Sequence, residues 1–225
     1  MTFSLVARCD RTGQFGMVIS SSSPAVAARC AHVRAGVGVV ASQNVTDPAL
    51  GPLVLDRLEA GRGASEALAD VTQGRAHIGY RQLLVVDRQG GVAIHSGANV
   101  LGIWNEARGR DCAAGGNLLA NDRVPAAMVA AFEAAAGHLG DRLIAALKAG
   151  RDAGGEAGPV HSAGLKMADR LPWPVADLRC DWIDEGCPID AVARAWEVYH
   201  PQMAAYVQRA SDPTQAPSYG VPGDE

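Results

Sequence analysis

The chain opens on a two-residue alternation. Phe3, Leu5, Ala7 and Cys9 share one face of residues 2–9, and Thr2, Ser4, Val6 and Arg8 the other, which is the period of a strand. The cluster Asp10-Arg11-Thr12-Gly13 predicts a turn, so residues 14–22 return as the second strand of a hairpin. If Cys9 faces Gln14 across that turn, Thr2 stands directly opposite Ser21. A third apolar run covers 36–42, and runs at 81–87 and 91–95 flank the turn Arg88-Gln89-Gly90. Shorter strand candidates lie at 103–106 and 111–114. Segments 53–60 and 64–71, separated by Gly61 and Gly63, read as short helices.

The period then lengthens. Val124, Met128, Ala131, Phe132 and Ala135 fall on one helical face behind a cap at Asn121. Leu139, Leu143, Ala146 and Leu147 repeat the pattern as far as Gly150. A glycine-rich stretch, 154–158, leads into strands at 162–167 and 178–182. Pro188 opens a last helix carrying Ile189, Val192, Ala193 and Trp196, which Pro201 must kink or end. Beyond Ser211 the pattern stops and Pro213, Pro217 and Pro222 intervene. The expectation is one domain over residues 1–210 and a loose tail over 211–225. Strands and helices come in blocks rather than in βαβ alternation, which is the mark of an α+β fold.

Composition narrows the function. With 48% hydrophobic residues the chain is too apolar to be disordered. No run approaches the ~18 apolar residues of a membrane helix, and the first residues lack a basic lead before an apolar run. A cytoplasmic protein follows. The formal charge of -4, without a basic block, argues against nucleic acid and anionic membranes as partners. Five cysteines form no C-x-x-C pair and cannot all pair with one another, so reduced thiols are expected. The six histidines never stand at H-x-x-x-H or H-x-H spacing, so neither a metal site nor a cofactor is expected. Gly36, Gly38 and Ala41 spell G-x-G-x-x-A, but they lie inside an apolar run instead of between a strand and a helix. Glycines packed closely within a sheet explain them better than a dinucleotide.

Thr2 is the residue with a mechanism attached. A small second residue lets the initiator methionine be removed, and a free N-terminal threonine then carries a hydroxyl and an amine together. An α-amine titrates at about 7.7–8.0, so it can act as general base toward its own hydroxyl.

Five ordered blocks then carry a resemblance: MTFSLVAR at the start, AGVGVVASQNVTDPALG (35–51), RQLLVVDRQGGVAIHSG (81–97), GGNLLAND (115–122) and DLRCDW (177–182). Over residues 2–200 the chain resembles a bacterial domain-of-unknown-function family assigned to the Ntn (N-terminal nucleophile) hydrolase superfamily. The resemblance implies a four-layer αββα sandwich of two mainly antiparallel sheets, with Thr2 as nucleophile. A composition of small aliphatics and glycines with 5% aromatics suits sheets stacked ~10 Å apart. Gln43, Arg81-Gln82, His95-Ser96 and Asn117 match positions that recur in the family. Asn117 is the candidate oxyanion donor, or else caps a turn. Ser21, placed by the hairpin register, joins Gln43, Arg81 and His95 as a candidate substrate contact. His95 is equally a core histidine, and Arg81 equally a partner of Asp87 or Glu106. The family's G-D-x-R-G-x-Q-S-A stretch reads GGEAGPVHSAG here, without the arginine and with His161 for glutamine, which points to altered specificity. The expected function is cleavage of a non-peptide C–N bond in a small metabolite by a homodimer or higher homo-oligomer. The alternatives are a non-catalytic binding or assembly module on the same fold, and a C–N hydrolase with another nucleophile.

Overall fold

The structure, a computed structural model, describes residues 1–224. The opening hairpin joins β1 (Thr2–Arg8) to β2 (Phe15–Ser21), with Phe3 paired to Ser20 and Arg8 to Phe15. The Cys9 N–H donates to the Gln14 carbonyl at 2.8 Å, so the register places Thr2 opposite Ser21 as the turn length demands. Next come α1 (Val26–Cys30), β3 (Ala31–Arg34), β4 (Gly38–Asn44), α2 (Leu50–Glu59) and α3 (Ala64–Thr72). After them follow β5 (Arg81–Asp87), β6 (Val92–Ser96), β7 (Asn105–Gly109) and β8 (Cys112–Asn117). The chain continues through α4 (Val124–Ala134), α5 (Leu139–Asp152), β9 (Ser162–Ala168), β10 (Pro174–Cys180) and α6 (Pro188–Ser211).

The strands form a six-stranded sheet, β10-β9-β2-β1-β8-β7, and a four-stranded sheet, β3-β4-β5-β6. Every ladder within them is antiparallel. The two sheets lie face to face between helices, a four-layer αββα sandwich with three apolar interfaces. Phe3 and Leu5 of β1 meet Met128, Phe132, Leu143, Leu147 and Trp196 beneath the helical layer of α4, α5 and α6. Val6, Met17, Ile19, Val39, Ala41, Leu84, Val86 and Ala113 fill the space between the sheets. Val40, Leu83 and Val85 meet Leu50, Val54, Leu58 and Leu68 of α2 and α3 on the far side. The alternation of β1 thus reads directly as one face toward helices and the other toward the second sheet.

Several elements differ from the sequence expectation. Helix α1 and strand β3 are additional; five and four residues are too short to show a period, and Ala25 enters α1 through a left-handed backbone (φ 51°). Helix α2 begins three residues before 53, and β10 begins at Pro174 instead of 178. A proline fits there because β10 is the outer strand of its sheet and Pro174 is exposed. Arg123, rather than Asn121, is the cap of α4; the Asn121 side chain instead accepts from the Arg123 N–H at 3.0 Å. Helix α6 does not end at Pro201 but runs on to Ser211. One missing N–H is tolerated because Tyr199, Met203 and Val207 pack against the core on both sides of it. Past α6, the Arg209 guanidinium donates to the carbonyls of Pro217 and Ser218 and lies 3.7 Å over the Tyr219 ring. Residue 225 of the expected tail lies outside the described residues. At Gly38 a Cβ would fall 2.7 Å from both Leu58 Cδ1 and the Val86 carbonyl, so the G-x-G pattern reflects close packing. Among the described residues, no helix is long and apolar enough to cross a membrane.

Candidate active site

The inter-sheet faces are apolar along most of their length and turn polar at the end where the chain begins. Continuing each face by steps of two leads to Ser4 and Thr2 on β1, Ser21 on β2 and Gln43 on β4. The same step leads to Gln82 on β5, Ser96 on β6 and Asn117 on β8. Except for the partly exposed Ser96, all of these are buried, Thr2 included. Burying so many polar groups is costly unless each finds a partner, so the partners are informative.

Thr2 lies between two neighbours. Asn117 is its partner in the β1–β8 ladder, and on the other side its Oγ1 stands 3.4 Å from Ser21 Oγ. Both hydroxyls donate to the Met1 carbonyl oxygen. Ser21 Oγ accepts from the Ser23 N–H at 3.0 Å, which leaves its proton free to point at that carbonyl. Asn117 Nδ2 is buried and has no hydrogen-bond partner among the described residues. A donor of this kind, held next to Thr2 and unused, is what an oxyanion requires.

Beneath Thr2 a chain of hydrogen bonds ties the sheets together. Ser4 Oγ donates to Gln43 Oε1 (2.6 Å), and Gln43 Nε2 donates to Gln82 Oε1 (2.8 Å) and to the Gly115 carbonyl (3.2 Å). Gln82 Nε2 donates to Ser96 Oγ (3.1 Å), which donates to Glu106 Oε2 (2.7 Å). Gln43 therefore supports the floor of the site through Ser4 and makes no bond to Thr2 itself.

Glu156 closes the other side. Strand β1 starts at Thr2, whereas the chain runs on past Ser21 to Ser22 and past Asn117 to Leu118, so a gap opens beyond Thr2 between its two neighbours. Residues 155–157 bridge that gap: the Ala157 N–H donates to the Leu118 carbonyl (3.0 Å), Leu119 pairs with Glu156, and the Ser22 N–H donates to Glu156 Oε2 (3.1 Å). The Glu156 side chain is buried and its Oε1 has no hydrogen-bond partner among the described residues. Burial pushes its carboxyl up to about 7, against the opposing pull of the chain's amino terminus and of Ser22.

Two expected residues lie elsewhere. His95 faces away from Thr2, toward α3, in a cleft with Ser65, Leu68 and Thr72, and its Nε2 is 3.2 Å from the Ile78 carbonyl. Arg81 shares the outward face of Leu83 and Val85 and donates to the Val45 carbonyl, with neither Asp87 nor Glu106 as partner. Both sit at odd positions of their local alternation, one step from the inward face. His161 donates its N–H to the Ser21 carbonyl (2.9 Å), while its ring stacks on Trp182 with Nδ1 2.8 Å from the Ile183 carbonyl. Ser4, Gln82 and Glu156 join the site in the tertiary structure, Gln82 from a position that already recurs beside Arg81 in the family resemblance. The first two follow from the alternation once the inward face is known, whereas Glu156 has only its acid in a glycine-rich stretch as a signal. The cysteines are free thiols; burial pushes Cys112 up to about 12 and also raises Cys30, which makes poor nucleophiles of both. Among the described residues, no group of three or more His, Cys, Asp or Glu could hold a metal ion.

The model of a family of unknown function, DUF1028, matches residues 2–192. The chain is similar to a crystal structure of a Silicibacter pomeroyi protein carrying the same family model, with 28% identity, a TM-score of 0.81 and 88% of each chain covered. A looser likeness, with a TM-score of 0.37 and 10% identity over 91% of this chain and 97% of the other, is to Anbu (ancestral beta-subunit) from Yersinia bercovieri. Among curated proteins there is no match.

Proposed function

Since the chain belongs to the family of unknown function DUF1028, its activity has to be read from the Thr2 end of the sandwich, and we propose that it is an Ntn-type amidohydrolase. In this reading the domain of residues 1–210 loses Met1 and acts as one catalytic domain from Thr2 onward, with 211–225 as an appendage, and the substrate is the amide-like C–N bond of a small metabolite. The space Met1 occupies becomes substrate space, with the Met1 carbonyl oxygen marking where two hydroxyls already converge on a carbonyl.

The steps follow from the groups present. The Thr2 α-amine takes the proton of its own hydroxyl, directly or through one water, and Oγ1 attacks the substrate carbonyl carbon. The carbonyl π electrons move onto oxygen, and the unused Asn117 Nδ2–H, with Ser21 Oγ, stabilises the oxyanion. Collapse breaks the C–N bond, and the amine leaves with the proton held by the α-ammonium. Water then hydrolyses the acyl-threonine ester with the α-amine again as base.

The observation that carries this reading is a buried, unpaired amide donor in register with a threonine that begins the central strand. Intact mass of the purified protein, followed by a metabolite-amide panel read by ammonia or amine release, tests it. Expected are a mass lacking Met1 and a hydrolysis that Thr2→Ala abolishes. Retained Met1 would favour a non-catalytic binding module, and activity surviving in Thr2→Ala would point to a different nucleophile.

A further inference from the structure

Glu156 is a buried carboxylate, one oxygen of which takes part in no hydrogen bond among the described residues. Its place is set by backbone bonds on both sides: Ala157 to Leu118, Ala120 to Gly155 and Ser22 to its own Oε2. Those bonds span the gap left where β1 begins, which is where the amino terminus emerges. We infer that Glu156 is the positioning residue for the Thr2 α-amine: after loss of Met1, its unpaired Oε1 accepts a hydrogen bond from that amine and holds it beside the hydroxyl. The inference rests on the proposed nucleophile and adds the group that keeps its base in place.

The charges around Glu156 favour this pairing. With Met1 in place, the Met1 amino group already acts on Glu156 electrostatically and opposes the effect of burial, and loss of Met1 moves the amino group one residue along, to Thr2. Arg151, the cation nearest in sequence, is turned to Asp152 (2.8 Å) and Asp190 (2.7 Å). His161 is held against Trp182 and the Ile183 carbonyl. In the reaction the O–H bond of Thr2 breaks and an N–H bond forms on its amine, while Glu156 keeps its protonation state and stabilises the ammonium. The proton is thereby retained until the leaving amine takes it.

The test measures the α-amine itself and needs no substrate. Mature protein, shown by intact mass to lack Met1 and by periodate to carry a free N-terminal amino alcohol, is labelled competitively with acetic anhydride across a pH series. Mass spectrometry of the N-terminal peptide then gives the amine pKa. Glu156→Gln keeps the acceptor for Ser22 and removes the charge, and the amine pKa is expected to fall by about 1–3 pH units. Glu156→Asp, which keeps the charge on a shorter arm, is expected to fall between the two and covers the case in which the glutamine variant does not fold. An amine pKa unchanged in both variants, with Met1 absent, overturns the role of Glu156 and leaves Thr2 as nucleophile. Met1 retained in the wild-type protein overturns both.

Discussion

A side chain whose bond is missing says more about this protein than most of the bonds that are made. Asn117 Nδ2 and Glu156 Oε1 are a buried donor and a buried acceptor on either side of the strand start at Thr2. Each costs stability in the resting fold, and such a cost is usually tolerated where a ligand or a reaction uses the group. Asn117→Ala is therefore expected to lower kcat by ~10²–10³ on whichever amide the panel identifies, with the fold intact by circular dichroism. Ser21→Ala should have a smaller effect, because Asn117 still serves the oxyanion. Steady-state kinetics on both variants check the order.

At the scale of elements, the two sheets are tied by polar groups at one end and by aliphatic packing elsewhere. Ser4 is the only residue that donates to Gln43 Oε1 among the described residues, so Ser4→Ala strands a buried acceptor and should cost ~1–3 kcal/mol, measured by urea unfolding. Helix α6 carries the opposite kind of defect. Pro201 is exposed inside a 24-residue helix and removes one of its hydrogen bonds, a defect that the packing of Tyr199, Met203 and Val207 on the core offsets. Pro201→Ala should raise the melting temperature, with a gain of up to ~3 kcal/mol. The strands and the longer helices were legible because periods of two and 3.6 repeat within them. Helix α1 and strand β3 were not, since neither completes enough of a period, and the passage of α6 through Pro201 depends on what Tyr199 and Val207 touch.

At the scale of the whole molecule, two titrating groups, the partly buried His32 and the buried Glu156, oppose each other. Burial, with help from the Lys166 charge, pushes His32 from 6.5 down to about 4, so the folded protein sheds a proton that the unfolded chain keeps. Stability from this group is full above pH 6.5 and is lost as pH falls toward 4. Glu156 runs the other way: raised from 4.5 to about 7, it holds a proton that the unfolded chain has released, and stability is lost as pH rises through that window. Between about pH 4.5 and 6.5 the two slopes cancel. Melting temperatures over this range, measured on protein that retains Met1 so that no Thr2 ammonium pairs with Glu156, should then rise with pH in Glu156→Gln and fall with pH in His32→Gln, relative to the unsubstituted protein. Parallel profiles in all three would show that the two groups are not buried as described.

The sequence by itself determined every strand but β3, the two faces of β1 and the hairpin register that sets Thr2 against Ser21, while the sandwich class came with the family resemblance. The strands and the register are local: a period of two and a turn of known length leave little choice. Gln43 and Asn117 were found as members of recurring motifs, and their inward direction agrees with the alternation. Only the tertiary structure decided which polar residues meet. It sent His95 and Arg81 to the outer face, one residue out of phase with the interior, and joined Ser4 to Gln43 and Gln82 across two sheets. It also brought Glu156, 154 positions along the chain from Thr2 and in a stretch without any period, to the gap beyond the first strand. Contacts between distant segments depend on how the layers close on one another, and no local pattern encodes that closure.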